Sequence, residues 1–213
     1  MKLMIFDMDG LMFDTEALGF RAYEECGKER GLDTDFPFYL NMIGLDERDT
    51  CKAYRERYGE NFDAETFYAA VGQRINDIAD REGIPIKPGL LPLLDALDQK
   101  GIRKIIASSS NADSIKKYLD RCRLGGRFDG TISSQEVKRG KPFPDIFLEG
   151  CRKMGVDPED ALVLEDSPAG IEAAFSGHIP VIAIPDLREI PPEIRDKCLF
   201  VGETLADVIP YLP

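Results

Sequence analysis

The chain has 213 residues, 43% of them apolar, enough to fill a sizeable core and to exclude a disordered chain. Its 39 acidic residues outnumber 27 basic ones, and the resulting net charge of −12 repels phosphate backbones and anionic membranes, which sets nucleic-acid and membrane-surface roles aside. A small anionic substrate stays open, because one locally positive pocket or a bound cation reverses the field nearby.

Taken in chain order, the first element is a short apolar run, Leu3–Phe6, read as a buried strand. From about residue 15 to 80 no strand-like run occurs. Helical spacing over Glu16–Arg30, Phe38–Met42, Glu47–Tyr58 and Ala64–Glu82, punctuated by Gly31, Gly44 and Gly59, predicts a block of helices. The segment Gly83–Gly89 (Gly-Ile-Pro-Ile-Lys-Pro-Gly) has the composition of a domain junction. Beyond it, apolar runs at Ile102–Ala107, Gly130–Ile132, Ala161–Leu164, Val181–Ile184 and Leu199–Val201 alternate with helically spaced apolar residues such as Leu90, Leu93, Leu94 and Leu97. Near-continuous apolar strands separated by helices predict an α/β protein built on a doubly wound, Rossmann-like parallel sheet. The expected organisation is a core of residues 1–14 and 83–213 interrupted by a small all-α cap of residues 15–82.

No apolar run approaches the roughly 18 residues needed to span a bilayer. Met1–Asp7 meets an acid after a few apolar residues, unlike a signal peptide, so a cytoplasmic protein is expected. Five scattered cysteines without a Cys-x-x-Cys pair read as reduced thiols. With His178 the single histidine, chemistry that needs a histidine dyad is set aside.

Four stretches carry chemistry. The first strand runs straight into Asp7-Met8-Asp9-Gly10. Spacing of i, i+2 puts both acids on one side of an extended chain, and glycine permits the turn that follows. Ligands of open α/β sheets bind beyond the carboxyl ends of the strands. Ala107-Ser108-Ser109-Ser110-Asn111 leads from a strand into a helix, where hydroxyls and free N–H groups can receive an anion or serve as ordinary caps. In Arg139-Gly140-Lys141-Pro142-Phe143-Pro144-Asp145, two prolines stiffen the backbone around one lysine. Glu165-Asp166-Ser167 follows another strand. Helix capping accounts for one of those residues but not for both acidic pairs. Like charges about 4 Å apart repel by roughly 4 kcal/mol at an effective dielectric near 20. A hard divalent cation such as Mg²⁺ would offset that repulsion with the oxygen ligands on offer.

The order Asp7-x-Asp9-Gly10, Ser108, Lys141, Glu165-Asp166 resembles the haloacid dehalogenase superfamily of phosphohydrolases, and the helical insert resembles the cap of its β-phosphoglucomutase-like branch. The resemblance spans essentially the whole chain. It implies that Asp7 is the nucleophile that forms an aspartyl-phosphate and that Asp9 is the general acid and base. Ser108 and Lys141, with the adjoining Ser109, would hold the phosphoryl group. Asp7, Asp9 through its backbone carbonyl, Glu165 and Asp166 would bind Mg²⁺. It further implies a phosphatase acting on a small phosphorylated metabolite: a sugar, polyol or short-acid phosphate; a monomer is expected. Asp9 separates the chain from dehalogenases, which lack an acid there. The mutases of this branch carry a histidine where this chain has Gly19, which argues against a mutase, and an arginine that falls one residue from Arg48, which keeps a β-phosphoglucomutase-like mutase as the alternative. Glu16, Glu47, Arg48 and Asn111 are the candidates for facing a leaving group. A phosphorylated receiver-type switch is the non-enzymatic reading, against which the insert and Asp9 count, and a degenerate binding protein is a third.

Overall fold

The computed structural model describes residues 1–43, 45 and 47–213. The chain divides into two compact units, one made of Met1–Asp14 and Pro85–Pro213, the other of Thr15–Ile84.

The first unit is a five-stranded, all-parallel sheet in the order β3-β2-β1-β4-β5. Its strands are β1 (Leu3–Phe6), β2 (Arg103–Ser108), β3 (Gly130–Ser133), β4 (Ala161–Glu165) and β5 (Val181–Ala183). β1 lies at the centre and is buried along its whole length, which is why its sequence is a continuous apolar run rather than an alternating one. Leu3, Ile5, Ile105, Ala107, Ile132 and Val163 share a hydrophobic cluster with Ile146, Phe147 and Cys151 and with Ile171 and Ala174. The last two groups belong to helices Asp145–Met154 and Pro168–Ser176. Met4 and Phe6, pointing the other way, are equally buried.

Register aligns the strand ends. Phe6 lies opposite both Ile106 and Leu164, so Asp7, Ala107-Ser108 and Glu165 leave the sheet side by side. From β1 the chain builds β2 and β3 to one side and β4 and β5 to the other. The crevice at this reversal is where an open α/β sheet receives ligands.

The expected strand Leu199–Val201 is a single bridge, Ala183 to Val201, with Leu199 N–H on Val181 O (2.8 Å) and Gly202 N–H on Ala183 O (2.8 Å). The run is apolar but lies at the sheet edge, where Leu199 is 64% exposed. Apolar content without burial on both faces does not sustain a strand there.

The second unit holds four helices among the described residues: α1 (Thr15–Glu29), α2 (Phe36–Met42), α3 (Glu47–Tyr58) and α4 (Ala64–Glu82). Its core is aromatic. Tyr23 stacks on Tyr54 with ring centroids 6.1 Å apart, and Tyr54 meets Phe67 edge-on at 5.0 Å. Arg74 of α4 ties down α1 through Glu25 (3.0 Å) and Glu29 (2.7 Å). Gly44 and Asp46, which belong to the stretch compared with the mutase arginine segment, lie outside the described residues. Among the described residues no helix is long and apolar enough to cross a membrane, and all five cysteines are free.

Candidate active site

Asp7 continues β1 and keeps its backbone pairing, its N–H donating to Leu164 O at 3.0 Å. Its carboxylate therefore emerges between β2 and β4 with little freedom. Gly10, directly after the second acid, has a φ of +83°, a conformation open to glycine at little cost. A side chain there would also strike Asp166 Oδ2.

Lys141 reaches in from the loop before the helix Asp145–Met154. Its side chain is 7% exposed, and its Nζ donates to Asp7 Oδ1 (2.5 Å) and to Glu165 Oε1. The Phe147 ring lies 5.0 Å from Nζ. Arg139 and Asp145 close the loop with a bidentate pair (3.1 and 2.7 Å), which holds the segment carrying the lysine. A lysine this buried persists because anions surround it.

Glu165 is fully buried. Its Oε2 accepts from Ser167 N–H and Ser167 Oγ, both at 2.9 Å. The Ser167 hydroxyl in turn accepts from Gly170 N–H (3.1 Å) and caps the helix Pro168–Ser176. Capping and acid placement are thus one arrangement.

Carboxylate oxygens of Asp7, Glu165 and Asp166 lie within 4.8 Å of one another, and Lys141 is the cation that touches two of them. Burial pushes the Asp7 carboxyl up to about 7 against the pull of Lys141, with Glu165 and Asp9 adding to the rise. Burial likewise lifts Asp166 well above the usual carboxylate range, helped by Glu165 and Asp7. For Lys141 burial works downward, but Asp7 and Glu165 outweigh it and hold the ammonium above its ordinary value. With one ammonium among three acids, burial keeps protons on the cluster that only a further cation would displace. All the donors are hard oxygens at spacings that one small dication can bridge, so the residues fit Mg²⁺.

Asp9 stands apart from this group. Its Oδ2 accepts from Ser110 Oγ (2.8 Å) and Ser108 Oγ (3.3 Å), while Ser108 Oγ also accepts from Ser110 N–H (3.0 Å). Ser109 is exposed. Ser110, which the sequence analysis did not single out, reaches Asp9; the i, i+2 spacing from Ser108 was the available signal, since it places both hydroxyls on one side of the strand end. Asn111 caps the helix Ala112–Arg121 by accepting from Ser114 N–H (2.9 Å). A second omission is Asp186, just past β5, which pairs with Lys87 at 2.5 Å.

In the helical unit, a cavity of about 240 Å³ is lined by Glu16, Gly19, Tyr39, Tyr54, Tyr68 and Val71, among others. Tyr39 donates its hydroxyl to Glu16 O (3.0 Å) and lies near Glu16 Oε2 (3.2 Å). That hydroxyl occupies the space a Cβ on Gly19 would need. Glu47 and Arg48 are exposed.

Residues 4–184 match the family model described as haloacid dehalogenase-like hydrolase. The chain is 31% identical over 179 residues to a phosphorylated carbohydrates phosphatase of Thermotoga maritima, covering 84% of this chain and 82% of that protein. It is 30% identical over 220 residues to a (DL)-glycerol-3-phosphatase of Arabidopsis thaliana, covering 99% and 71%. Among solved structures, a Thermotoga maritima protein described as a candidate beta-phosphoglucomutase superposes with a TM-score of 0.85 at 25% identity, covering 99% of this chain and 98% of the other.

Proposed function

Because the chain belongs to the haloacid dehalogenase-like hydrolases, in their β-phosphoglucomutase-like branch, we propose that it is a Mg²⁺-dependent phosphatase of small phosphate monoesters working through an aspartyl-phosphate. The observation that carries this reading is the convergence of Asp7, Lys141, Glu165 and Asp166 at the carboxyl ends of β1 and β4, beside Asp9 with its two serines.

Asp7 Oδ attacks phosphorus as the bond to the leaving oxygen breaks, and Asp9 delivers its proton to that oxygen. Asp9 then takes a proton from water as the water attacks the aspartyl-phosphate, which releases phosphate and regenerates the Asp7 carboxylate. Lys141 and the hydroxyl of Ser108, with Ser109, hold the equatorial oxygens, where charge develops. Asp7, the Asp9 carbonyl, Glu165 and Asp166 would hold Mg²⁺, which when bound supplies charge neutralisation for the transferring group. Residues 15–82 would be the cap, the unit to which this reading assigns the choice of leaving group.

Gly19 favours phosphatase over mutase. The mutase histidine is absent here, and a side chain at this position would have to displace the Tyr39 hydroxyl. The relatives' names make phosphorylated carbohydrates and glycerol 3-phosphate the first substrates to try. The test is a panel of sugar, polyol and short-acid phosphates assayed with Mg²⁺, including glucose 1-phosphate with a bisphosphate activator. Free phosphate, lost in Asp7→Asn and reversibly lost in EDTA, is expected. An isomerised sugar phosphate would replace the phosphatase reading with the mutase one, and turnover by Asp7→Asn would reject Asp7 as nucleophile.

A further inference from the structure

Asp186 follows β5 by way of Ile184, whose N–H donates to Glu165 O at 2.8 Å, so it emerges next to the end of β4. Its side chain is 6% exposed. Oδ1 takes the Lys87 ammonium at 2.5 Å, and Oδ2 is buried with no hydrogen-bond partner in the protein. Leaving a buried acceptor unpaired is costly, so a donor is expected at that point.

The direction of Oδ2 identifies the donor. A Cβ built on Gly10 would lie 3.3 Å from Asp186 Oδ2 and closer than 3.0 Å to Asp166 Oδ2. The two carboxylates thus flank one spot beside the Gly10 turn, within reach of a single bridging water. Once a metal displaces the Asp166 proton, two anions would face each other across this gap, which calls for a polarised donor between them. Asp186 is not among the acids whose oxygens lie within 4.8 Å of one another, so it stands outside the direct ligands. Asp14 Oδ1 is buried without a hydrogen-bond partner too. On this side Lys87 holds the other Asp186 oxygen and so fixes which one faces Asp166.

We infer that Asp186, oriented by Lys87, is a positioning residue for the metal: its Oδ2 accepts a hydrogen bond from a water on the ion held at Asp7 and Asp166. This rests on the Mg²⁺ reading above. Partners of this kind orient metal ligands, and their loss typically weakens metal binding 10–100-fold.

The test measures Mn²⁺ binding to the full chain without substrate, by calorimetry and by the electron paramagnetic resonance signal of free Mn²⁺, with unfolding of the metal-free protein followed in parallel. Asp186→Asn is nearly isosteric and keeps an acceptor for Lys87, but it turns an amide donor toward Asp166. It is expected to weaken Mn²⁺ binding about 10–100-fold, with Asp186→Glu recovering most of the loss. If Asp186→Asn does not fold by circular dichroism, Asp186→Ser takes its place. Mn²⁺ affinity unchanged from wild type, with only the metal-free unfolding midpoint lowered, would make the pair a structural salt bridge and overturn the inference. Equal weakening in Asp186→Asn and Asp186→Glu would also overturn it, since packing rather than the acceptor would then matter. Absence of Mn²⁺ binding by the wild-type protein would remove the metal reading itself, a failure distinct from the other two.

Discussion

Replacing Gly170 by alanine tests whether Glu165 is held rigidly. A Cβ at position 170 would sit closer than 3.0 Å to Glu165 Oε1, Cδ and Oε2 at once. It meets the middle of the carboxylate rather than the end of a free side chain. Glu165 cannot step aside at small cost, because Oε1 is bonded to Lys141 and Oε2 accepts from Ser167 N–H and Oγ. Hydrogen bonds to a charged group contribute about 1.5–3 kcal/mol each, and separating a buried ion pair costs about 3–5 kcal/mol. Displacing Glu165 breaks its pair with Lys141, so Gly170→Ala is expected to destabilise the α/β unit by about 3–5 kcal/mol. Urea unfolding of the metal-free protein reads this directly. Gly72→Ala is the contrast: a Cβ there meets nothing within 4 Å, and the better helix former should add up to about 1 kcal/mol. A loss below about 1 kcal/mol for Gly170→Ala, the size of one ordinary hydrogen bond, would show that Glu165 is free to move and refute the reasoning.

Without metal, stability should fall as pH rises from 5 to 7. Burial lifts Asp7 to about 7, so the native state retains a proton that the unfolded chain has already released. At about 1.4 kcal/mol per pH unit the loss is roughly 2–3 kcal/mol, and urea titrations in EDTA that came out flat or rising over this range would contradict it. Metal and proton compete for the same carboxylates, so Mg²⁺ should bind more tightly at pH 7 than at pH 5 and release protons; calorimetry in two buffers of different ionisation enthalpy detects the release. Gly19→His should displace the Tyr39 hydroxyl from Glu16, lowering the stability of the helical unit by about 0.5–1.5 kcal/mol, the worth of one ordinary hydrogen bond; an unchanged urea midpoint would mean that Tyr39 is not fixed there. His178 sits at φ +55°, past the helix Pro168–Ser176, a place that favours glycine. His178→Gly should therefore gain about 0.5–1 kcal/mol, and a loss would show that the imidazole makes compensating contacts.

The strands were legible where burial on both faces left a continuous apolar run, as in Leu3–Phe6 and Ala161–Glu165. Leu199–Val201 has the same composition but an exposed edge, and composition alone cannot tell the two apart. The acids at the ends of β1 and β4 were legible because each directly follows its strand, and parallel register then sets them side by side. Lys141 was legible from its flanking prolines. Ser110 could have been read from its spacing to Ser108. The Lys87–Asp186 pair could not: its members are 99 residues apart, and nothing local marks either residue as the other's partner. Gly170 shows the same limit at short range: the Glu165 carboxylate fills the space of its Cβ, which the spacing of the two residues does not reveal.

Asp7 and Asp9 are the same residue type and both follow β1 within three residues, so the sequence treats them alike; their surroundings do not. One oxygen of Asp7 is committed to a buried ammonium, and the residue lies among Glu165 and Asp166. It is thereby fixed in place, and a dication that the cluster can hold would displace its proton. That is what a carboxylate nucleophile requires: an anionic oxygen held still, with its charge offset but not quenched. Asp9 is half-buried and held by two hydroxyls, Ser108 and Ser110, which can donate to a carboxylate or accept from a carboxylic acid without rearrangement of the backbone. That is what a group that gives up a proton in one step and recovers it in the next requires. The proposed division of labour thus follows from what each acid touches: an ammonium of fixed charge on one side, and two reversible hydroxyls on the other.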